Sequence, residues 1–205
     1  SALVLLIVLL SLSLAVVLSL DEASRQLCLL LSIGALPAIL LYPSAKRWFA
    51  YPQAVLAFCC GFAVLIPWAA AERSLTLQPA LIGCWLATLL WTFGFDTVYA
   101  MADRRDDAVI GLNSSALSLG NRAVGTVRTC YVLTVVALGV AAASAGVHPL
   151  FWIFWLGAAL LMQISCQSLN HKNATMASFG LHFRRQVQLG SLLLLGLIVS
   201  RGLSG

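Results

Sequence analysis

The chain consists of long runs of uncharged, mostly apolar residues that are separated by short polar segments. The runs are continuous and do not alternate with polar residues, so they predict helices and not strands. Because a helix needs about 20 apolar residues to cross a bilayer, the pattern predicts an all-α, multi-pass membrane helical bundle. Seven spans are predicted, at about 3–20, 27–42, 53–71, 78–99, 127–145, 149–167 and 186–202.

Composition supports the same class of protein. Of 205 residues, 61% are hydrophobic and only 9% are charged, whereas a soluble domain carries roughly a quarter charged residues. Six cysteines all lie in apolar runs and form no CxxC pair, which favours buried small hydrophobic side chains over disulfides or metal ligands. They are Cys28, Cys59, Cys60, Cys84, Cys130 and Cys166.

The chain begins at Ser1, and apolar residues follow at once. It has no initial methionine and no positively charged segment of the kind that opens a secretory signal. We therefore expect a truncated start, with the chain opening in the first turn of a helix whose upstream loop is missing.

Basic residues are distributed unevenly between the two sets of loops. Lys and Arg mark cytoplasmic loops, and the loops at 42–52, 100–128 and 168–187 hold nine of them against three in the opposite set. The nine are Lys46, Arg47, Arg104, Arg105, Arg122, Arg128, Lys172, Arg184 and Arg185; the three are Arg25, Arg73 and Arg201. This asymmetry predicts a cytoplasmic N-terminus, an external C-terminus and an anionic partner at the cytoplasmic face.

An acidic stripe follows the fourth predicted span. At about 100° per residue, Asp103 and Asp107 fall within about 20° of Asp96, and Tyr99 falls about 60° to one side. Carboxylates in such a stripe repel one another unless a cation neutralises them, and hard oxygen ligands suit Mg²⁺. The alternative is a solvated acidic loop, which does not explain an acid at the membrane end of a span, as Asp96 is.

Cationic side chains accompany the acids. Lys46 and Arg47 end one predicted span on the same side of the membrane, and Arg104 lies inside the acidic segment. Acids for a metal and cations for phosphate together predict a diphosphate site. For Lys46 and Arg47 alone, a topology signal is an equally good interpretation.

The sequence motifs in these segments resemble those of the UbiA superfamily of intramembrane prenyltransferases. Asp96-x-x-Tyr99-Ala100-x-x-Asp103-x-x-x-Asp107, with the Ile-Gly-Leu-Asn-Ser-Ser-Ala that follows at 110–116, is similar to the second aspartate-rich motif of that family. The segment 42–61 resembles the Tyr-Pro-x-x-Lys-Arg loop and following helix of its 4-hydroxybenzoate polyprenyltransferase group.

The resemblance implies a nine-helix fold of which this chain holds the last seven helices. Residues 1–205 would then be a single transmembrane prenyltransferase domain that lacks two N-terminal helices and the first aspartate-rich motif, since no NDxxDxxxD segment occurs in the chain. Asn113 stands where members of the family usually have lysine.

The implied reaction is Mg²⁺-dependent transfer of a polyprenyl group from polyprenyl diphosphate to a ring carbon of 4-hydroxybenzoate, in ubiquinone or plastoquinone biosynthesis. The resemblance implies a bacterial inner membrane, a cytoplasm-facing site, contact with membrane lipid and no nucleic-acid partner. Its site residues would be the metal ligands Asp96, Asp103 and Asp107, the catalytic Tyr99, the diphosphate contacts Lys46, Arg47 and Arg104, and the substrate-pocket residues Asn113 and Ser114.

Other functions stay open at this stage. One is a UbiA-type enzyme with another acceptor, such as homogentisate, chlorophyllide or haem. Another is an ion-coupled transporter, although the broken helices and internal repeat typical of that class are not apparent. A third is a membrane partner without activity. His148 and His171 are predicted as loop residues, whereas the sequence does not decide the role of His182.

Overall fold

The structure, a computed structural model, describes residues 2–169 and 175–203, and over them it is helical and without strands. The helices are α1 (Ala2–Leu18), α2 (Glu22–Trp48), α3 (Pro52–Glu72), α4 (Pro79–Ala102), α5 (Arg104–Val109), α6 (Ser115–Leu119), α7 (Ala123–Ser144), α8 (Phe151–Gln167) and α9 (Met176–Leu203). A 3₁₀ turn, Gly120–Arg122, joins α6 to α7. The prediction of an all-α membrane bundle is confirmed, and each predicted span coincides with one helix, in order α1, α2, α3, α4, α7, α8 and α9.

Five helical segments of the described chain are long and apolar enough to cross a membrane: α2, α3, α4, the continuous stretch 115–144 and α9. The apolar part of α1, Leu3–Leu18, and the whole of α8 are shorter than this criterion requires. Helix α9 begins at Met176, ten residues before the predicted start at 186. The prediction was wrong there because it excluded the charged pair Arg184 and Arg185, which a helix carries without difficulty.

Helix α4 lies at the centre of the bundle and packs most extensively on α7. Two glycines permit this close approach, as small residues do between membrane helices. A Cβ at Gly83 would lie 2.6 Å from the carbonyl oxygen of Ala137, and a Cβ at Gly94 would lie 2.7 Å from a ring carbon of Tyr131. The residues of α4 that face α7 are therefore fixed, and its opposite face, with Asp96 and Tyr99, is left more open.

Candidate functional site

Two segments far apart in sequence, 42–53 and 107–118, are joined by hydrogen bonds. The backbone N–H of Asn113 donates to the carbonyl oxygen of Lys46 over 2.7 Å. That carbonyl belongs to the last turn of α2, where no partner exists within the helix. Ser115 N–H donates to the Oε1 atom of Gln53 over 2.8 Å, and Gln53 is buried. The end of α2 and the start of α3 are thus tied to the loop that follows the acidic segment.

Further bonds hold the same loop. Ser118 Oγ donates to the carbonyl oxygen of Ala50 over 2.7 Å. The hydroxyls of Thr97 and Ser115 share a buried hydrogen bond of 2.8 Å, which connects the loop to α4. The site therefore rests on α2, α3 and α4 together.

An ion pair lies at the centre of this junction. Lys46 Nζ is 3.4 Å from Asp107 Oδ1, and the two side chains are 31% and 5% exposed. The other carboxylate oxygen, Oδ2, is buried without a hydrogen-bond partner in the described part of the chain. Asp107 therefore fixes the position of the Lys46 ammonium and retains an unused acceptor.

The acidic stripe is not continuous, which corrects the helical geometry assumed from the sequence. Helix α4 ends at Ala102 and α5 begins at Arg104, because Asp103 has φ −88° and ψ 2° and interrupts the helix. The interruption leaves Asp96 and Asp103 partly exposed, whereas Asp107 is buried. Two of the three predicted metal ligands thus remain accessible, and the third is paired with Lys46.

The accessible acids form a cluster with groups from α2. Asp96 interacts electrostatically with Lys46 and with Asp103, and the Tyr42 hydroxyl interacts with Asp96. Tyr99 lies one turn beyond Asp96 and is 52% exposed. The structure therefore brings together the C-terminal ends of α2 and α4, as the parity of the loops predicts.

A metal ion in this cluster would have few protein ligands. Within residues 2–169 and 175–203, no three His, Cys, Asp or Glu side chains lie close enough to hold one. Mg²⁺ is commonly held by one or two carboxylates, with waters and substrate phosphates completing its coordination. Asp96 and Asp103 fit a site of that kind. Metal ligation by Asp96, Asp103 and Asp107 stays a prediction.

The remaining predicted residues occupy different positions. Arg104, the first residue of α5, is partly exposed, and Arg47 is exposed in the last turn of α2. Asn113 contributes its backbone N–H to the junction. Ser114 is fully buried, and its Oγ accepts a hydrogen bond from the N–H of Leu117 over 3.3 Å. Ser114 therefore caps α6, and its place in a substrate pocket stays a prediction.

A buried polar network crosses the bundle behind this cluster, and the sequence did not predict it. Tyr131 Oη lies 2.9 Å from His182 Nε2, and His182 Nδ1 lies 3.4 Å from the carbonyl oxygen of Ser165. Gln186 Nε2 donates to Ser165 Oγ over 3.1 Å, and Trp91 Nε1 donates to Gln186 Oε1 over 2.9 Å. The network joins α4, α7, α8 and α9, so it sets the position of α9 in the bundle.

The other two histidines lie outside the cluster. His148, as predicted, is a residue of the loop before α8, and its Nδ1 accepts a hydrogen bond from the N–H of Leu150 over 3.3 Å. His171 lies outside the described residues.

Three aromatic rings pack together where α9 meets the turn of α4 that carries Asp96. The ring of Phe183, on α9, lies 5.1 Å from the ring of Phe95 and 5.8 Å from the ring of Tyr99, centre to centre. Phe95 immediately precedes Asp96 in α4, and Tyr99 follows it by one turn. We call Phe95, Tyr99 and Phe183 the aromatic corner. Two members of the corner belong to α4. The third, Phe183, belongs to α9 and directly follows His182 in the chain.

A separate cavity of about 480 Å³ lies between α8 and α9. Its lining is mostly apolar and includes Leu161, Ile164, Arg185, Gln188, Leu189 and Leu192. None of these residues belongs to the cluster of Lys46, Asp96 and Asp103, so this cavity is a different place in the bundle.

Comparison with known proteins gives a consistent result. The sequence model of the UbiA prenyltransferase family matches residues 1–185. A 4-hydroxybenzoate solanesyltransferase of Synechocystis sp. is 40% identical over 169 residues, which are 82% of this chain and 57% of the relative. A 4-hydroxybenzoate octaprenyltransferase of Burkholderia multivorans is 38% identical over 132 residues, 63% of this chain and 44% of the relative. The chain thus spans about half the length of these curated relatives.

A solved structure shares the fold. It comes from work on a digeranylgeranylglyceryl phosphate synthase in membranes, and it superposes with a TM-score of 0.69 at 17% identity. The match covers 94% of this chain and 66% of that one. At such low identity the likeness concerns the arrangement of helices alone.

Proposed function

Because the chain belongs to the UbiA prenyltransferase family, we propose that its protein transfers a polyprenyl group from polyprenyl diphosphate to a ring carbon of 4-hydroxybenzoate, in a quinone pathway. The relatives named above support this choice of donor and acceptor. The observation that carries the chemistry is the convergence of Lys46 with Asp96 and Asp103 at one end of the bundle.

The cations of the cluster bind the diphosphate. Lys46 is the main contact, because the buried Asp107 carboxylate holds its ammonium group in place. Arg47, which follows Lys46, is exposed, and Arg104, which follows Asp103, is partly exposed. Both supply further positive charge. A contact held in place before the reaction stabilises the charge that develops on the leaving group without having to reorganise.

Asp96 and Asp103 would hold a divalent metal ion, with Mg²⁺ as the proposed species. When bound, the ion neutralises part of the negative charge on the departing diphosphate. Tyr99, one turn from Asp96, orients the carboxylate or presents its ring to the allylic group. The apolar surroundings keep water from the reacting carbons.

In the reaction, the bond between C1 of the prenyl chain and the diphosphate oxygen breaks, and its electron pair leaves with the diphosphate. The electron-rich ring carbon of 4-hydroxybenzoate forms the new bond to C1. The same ring carbon then passes its proton to a base, for which the released diphosphate serves, and this restores the aromatic ring. The substrates are an amphiphile with a membrane-soluble tail and a small aromatic acid, which suits a site at the end of membrane helices.

The proposal is tested by assaying membranes that carry the protein, expressed from its complete natural reading frame. We expect prenylated 4-hydroxybenzoate to form from solanesyl or octaprenyl diphosphate, and its formation to stop when EDTA removes divalent metal. Membranes without the protein are the control. Product formed only with another aromatic acceptor would contradict the choice of 4-hydroxybenzoate. Isotope-labelled ion uptake into vesicles without any prenyl transfer would favour a transporter.

We further propose that the site faces the cytoplasm of a bacterial cell, with the protein in the inner membrane. The nine-to-three asymmetry of basic residues supports this orientation. A reporter inserted at Asn113 should be active on the cytoplasmic side, and one fused after Gly205, which lies outside the described residues, should be active on the external side. A phosphatase and fluorescent-protein fusion pair measures both. The reverse pattern would contradict the proposed location of the site.

A further inference from the structure

The aromatic corner leaves ring surface exposed at the turn of α4 that carries Asp96. Phe95 and Phe183 meet at an interplanar angle of 61°, and Tyr99 and Phe183 at 40°. Tyr99 is 52% exposed, and Phe95 and Phe183 are partly exposed. The rings therefore keep part of their surface exposed. Tyr99 lies one turn from Asp96, and Tyr42 on α2 interacts electrostatically with both residues, so the corner adjoins the acidic end of the site.

The position of Phe183 is set by its neighbour. His182 is completely buried. A carbonyl oxygen only accepts hydrogen bonds, so His182 Nδ1 carries the proton that is shared with Ser165, and Nε2 accepts the Tyr131 hydroxyl proton. The imidazole is also stacked on the Tyr131 ring, at 5.8 Å and 9°. These contacts fix the rotation of α9 and hold Phe183 against Phe95 and Tyr99.

From this geometry we propose that the aromatic corner binds the allylic end of the prenyl donor and stabilises its positive charge as the bond from C1 to the diphosphate oxygen breaks. Phe183 is then a catalytic residue, and His182 is a positioning residue that acts through it. The inference rests on the proposed function. Aromatic ring faces attract cations, most strongly where water is excluded.

The allylic end is a better occupant of the corner than the aromatic acceptor. 4-Hydroxybenzoate carries a carboxylate, which the negative face of an aromatic ring does not attract. The allylic end becomes positively charged instead. The electron pair leaves with the diphosphate, and positive charge spreads over C1 and C3. The ring faces of the corner favour that charge. The ring carbon of the acceptor forms the new bond to C1 and then passes its proton to the released diphosphate.

The test replaces Phe183 by phenylalanine analogues that carry one, two and three ring fluorines, in the protein expressed from its complete reading frame. Fluorine withdraws electron density from the ring face and changes the ring's size only slightly. We expect kcat for prenyl transfer to fall stepwise with each fluorine, to a total loss between about twofold and thirtyfold. Binding of inorganic diphosphate should stay unchanged, which shows that the site is folded.

Phe179 is the matched control, because it lies one turn earlier in α9 and is buried in the core. The same analogues there should leave kcat level. Phe183→Leu should lower kcat in the same range while KM for 4-hydroxybenzoate changes little. A level kcat across the Phe183 series, or a rise confined to that KM, would overturn the inference while wild-type transfer continued. Absence of transfer by the wild-type protein would instead contradict the proposed function.

Discussion

Asp103→Asn should abolish most prenyl transfer while the protein still inserts and folds. Asparagine keeps the shape of the side chain and one oxygen, but it lacks the negative charge that binds Mg²⁺. Loss of several kcal/mol of leaving-group stabilisation corresponds to a fall of several hundredfold or more, at about tenfold per 1.4 kcal/mol. The measurement is formation of prenylated 4-hydroxybenzoate in membranes, over a range of Mg²⁺ concentrations and with EDTA.

Asp106→Asn is the matched control for this variant. Asp106 carries the same charge in the same segment, but it is exposed and lies in α5, beyond the interruption at Asp103. It should retain most of the activity. Equal losses in the two variants, or activity that is indifferent to chelation, would show that Asp103 does not hold a metal ion.

Lys46→Met should impair both stability and activity. It leaves the Asp107 carboxylate buried without its cation, which costs about 1–3 kcal/mol of unfolding free energy. The cost is below that of a fully buried pair because Lys46 is 31% exposed and water already solvates it in part. It also removes the main proposed diphosphate contact, and activity should fall by a further thirtyfold to thousandfold, the range for one lost donor to a developing anion at about 2–4 kcal/mol.

The double variant Lys46→Met/Asp107→Asn separates these two effects. Without the charge on residue 107, no uncompensated ion remains in the core, so the thermal unfolding temperature should return most of the way to the wild-type value. Activity should stay low, because the ammonium group is still missing. Recovery of activity together with stability would show that Lys46 serves the fold and does not contact the diphosphate.

The sequence predicted the helices well because apolar runs of membrane length leave the backbone few alternatives. The predicted start of the last helix was too late. A run of apolar residues marks only the part of a helix inside the membrane, and α9 extends beyond that part as a polar stretch. The sequence left the role of His182 undecided and made Gln186 only the first residue of the last span. In the structure they are inward-facing members of a hydrogen-bonded network whose partners lie up to 95 positions away along the chain.

The candidate site was predicted in composition but not in arrangement. Helical spacing placed Asp96, Asp103 and Asp107 on one line, and that reasoning is correct only for an unbroken helix. The backbone turn at Asp103 divides the three, and only the tertiary contact with Lys46 shows where Asp107 goes. Gln53 carried no signal of its own, because a glutamine in the first turn of a helix looks like any polar residue at a membrane boundary.

The close contact of α4 with α7 bears on which substitutions the bundle tolerates. Backbone atoms meet almost directly at Gly83, and the ring of Tyr131 fills the space at Gly94, so an added methyl group at either glycine would push the two helices apart. Helix α9 is joined to this pair through the side chains of Tyr131, His182, Gln186 and Trp91. A displacement of α7 from α4 would therefore also pull Tyr131 and Trp91 out of register with α9, so one added carbon atom on α4 would disturb three helices.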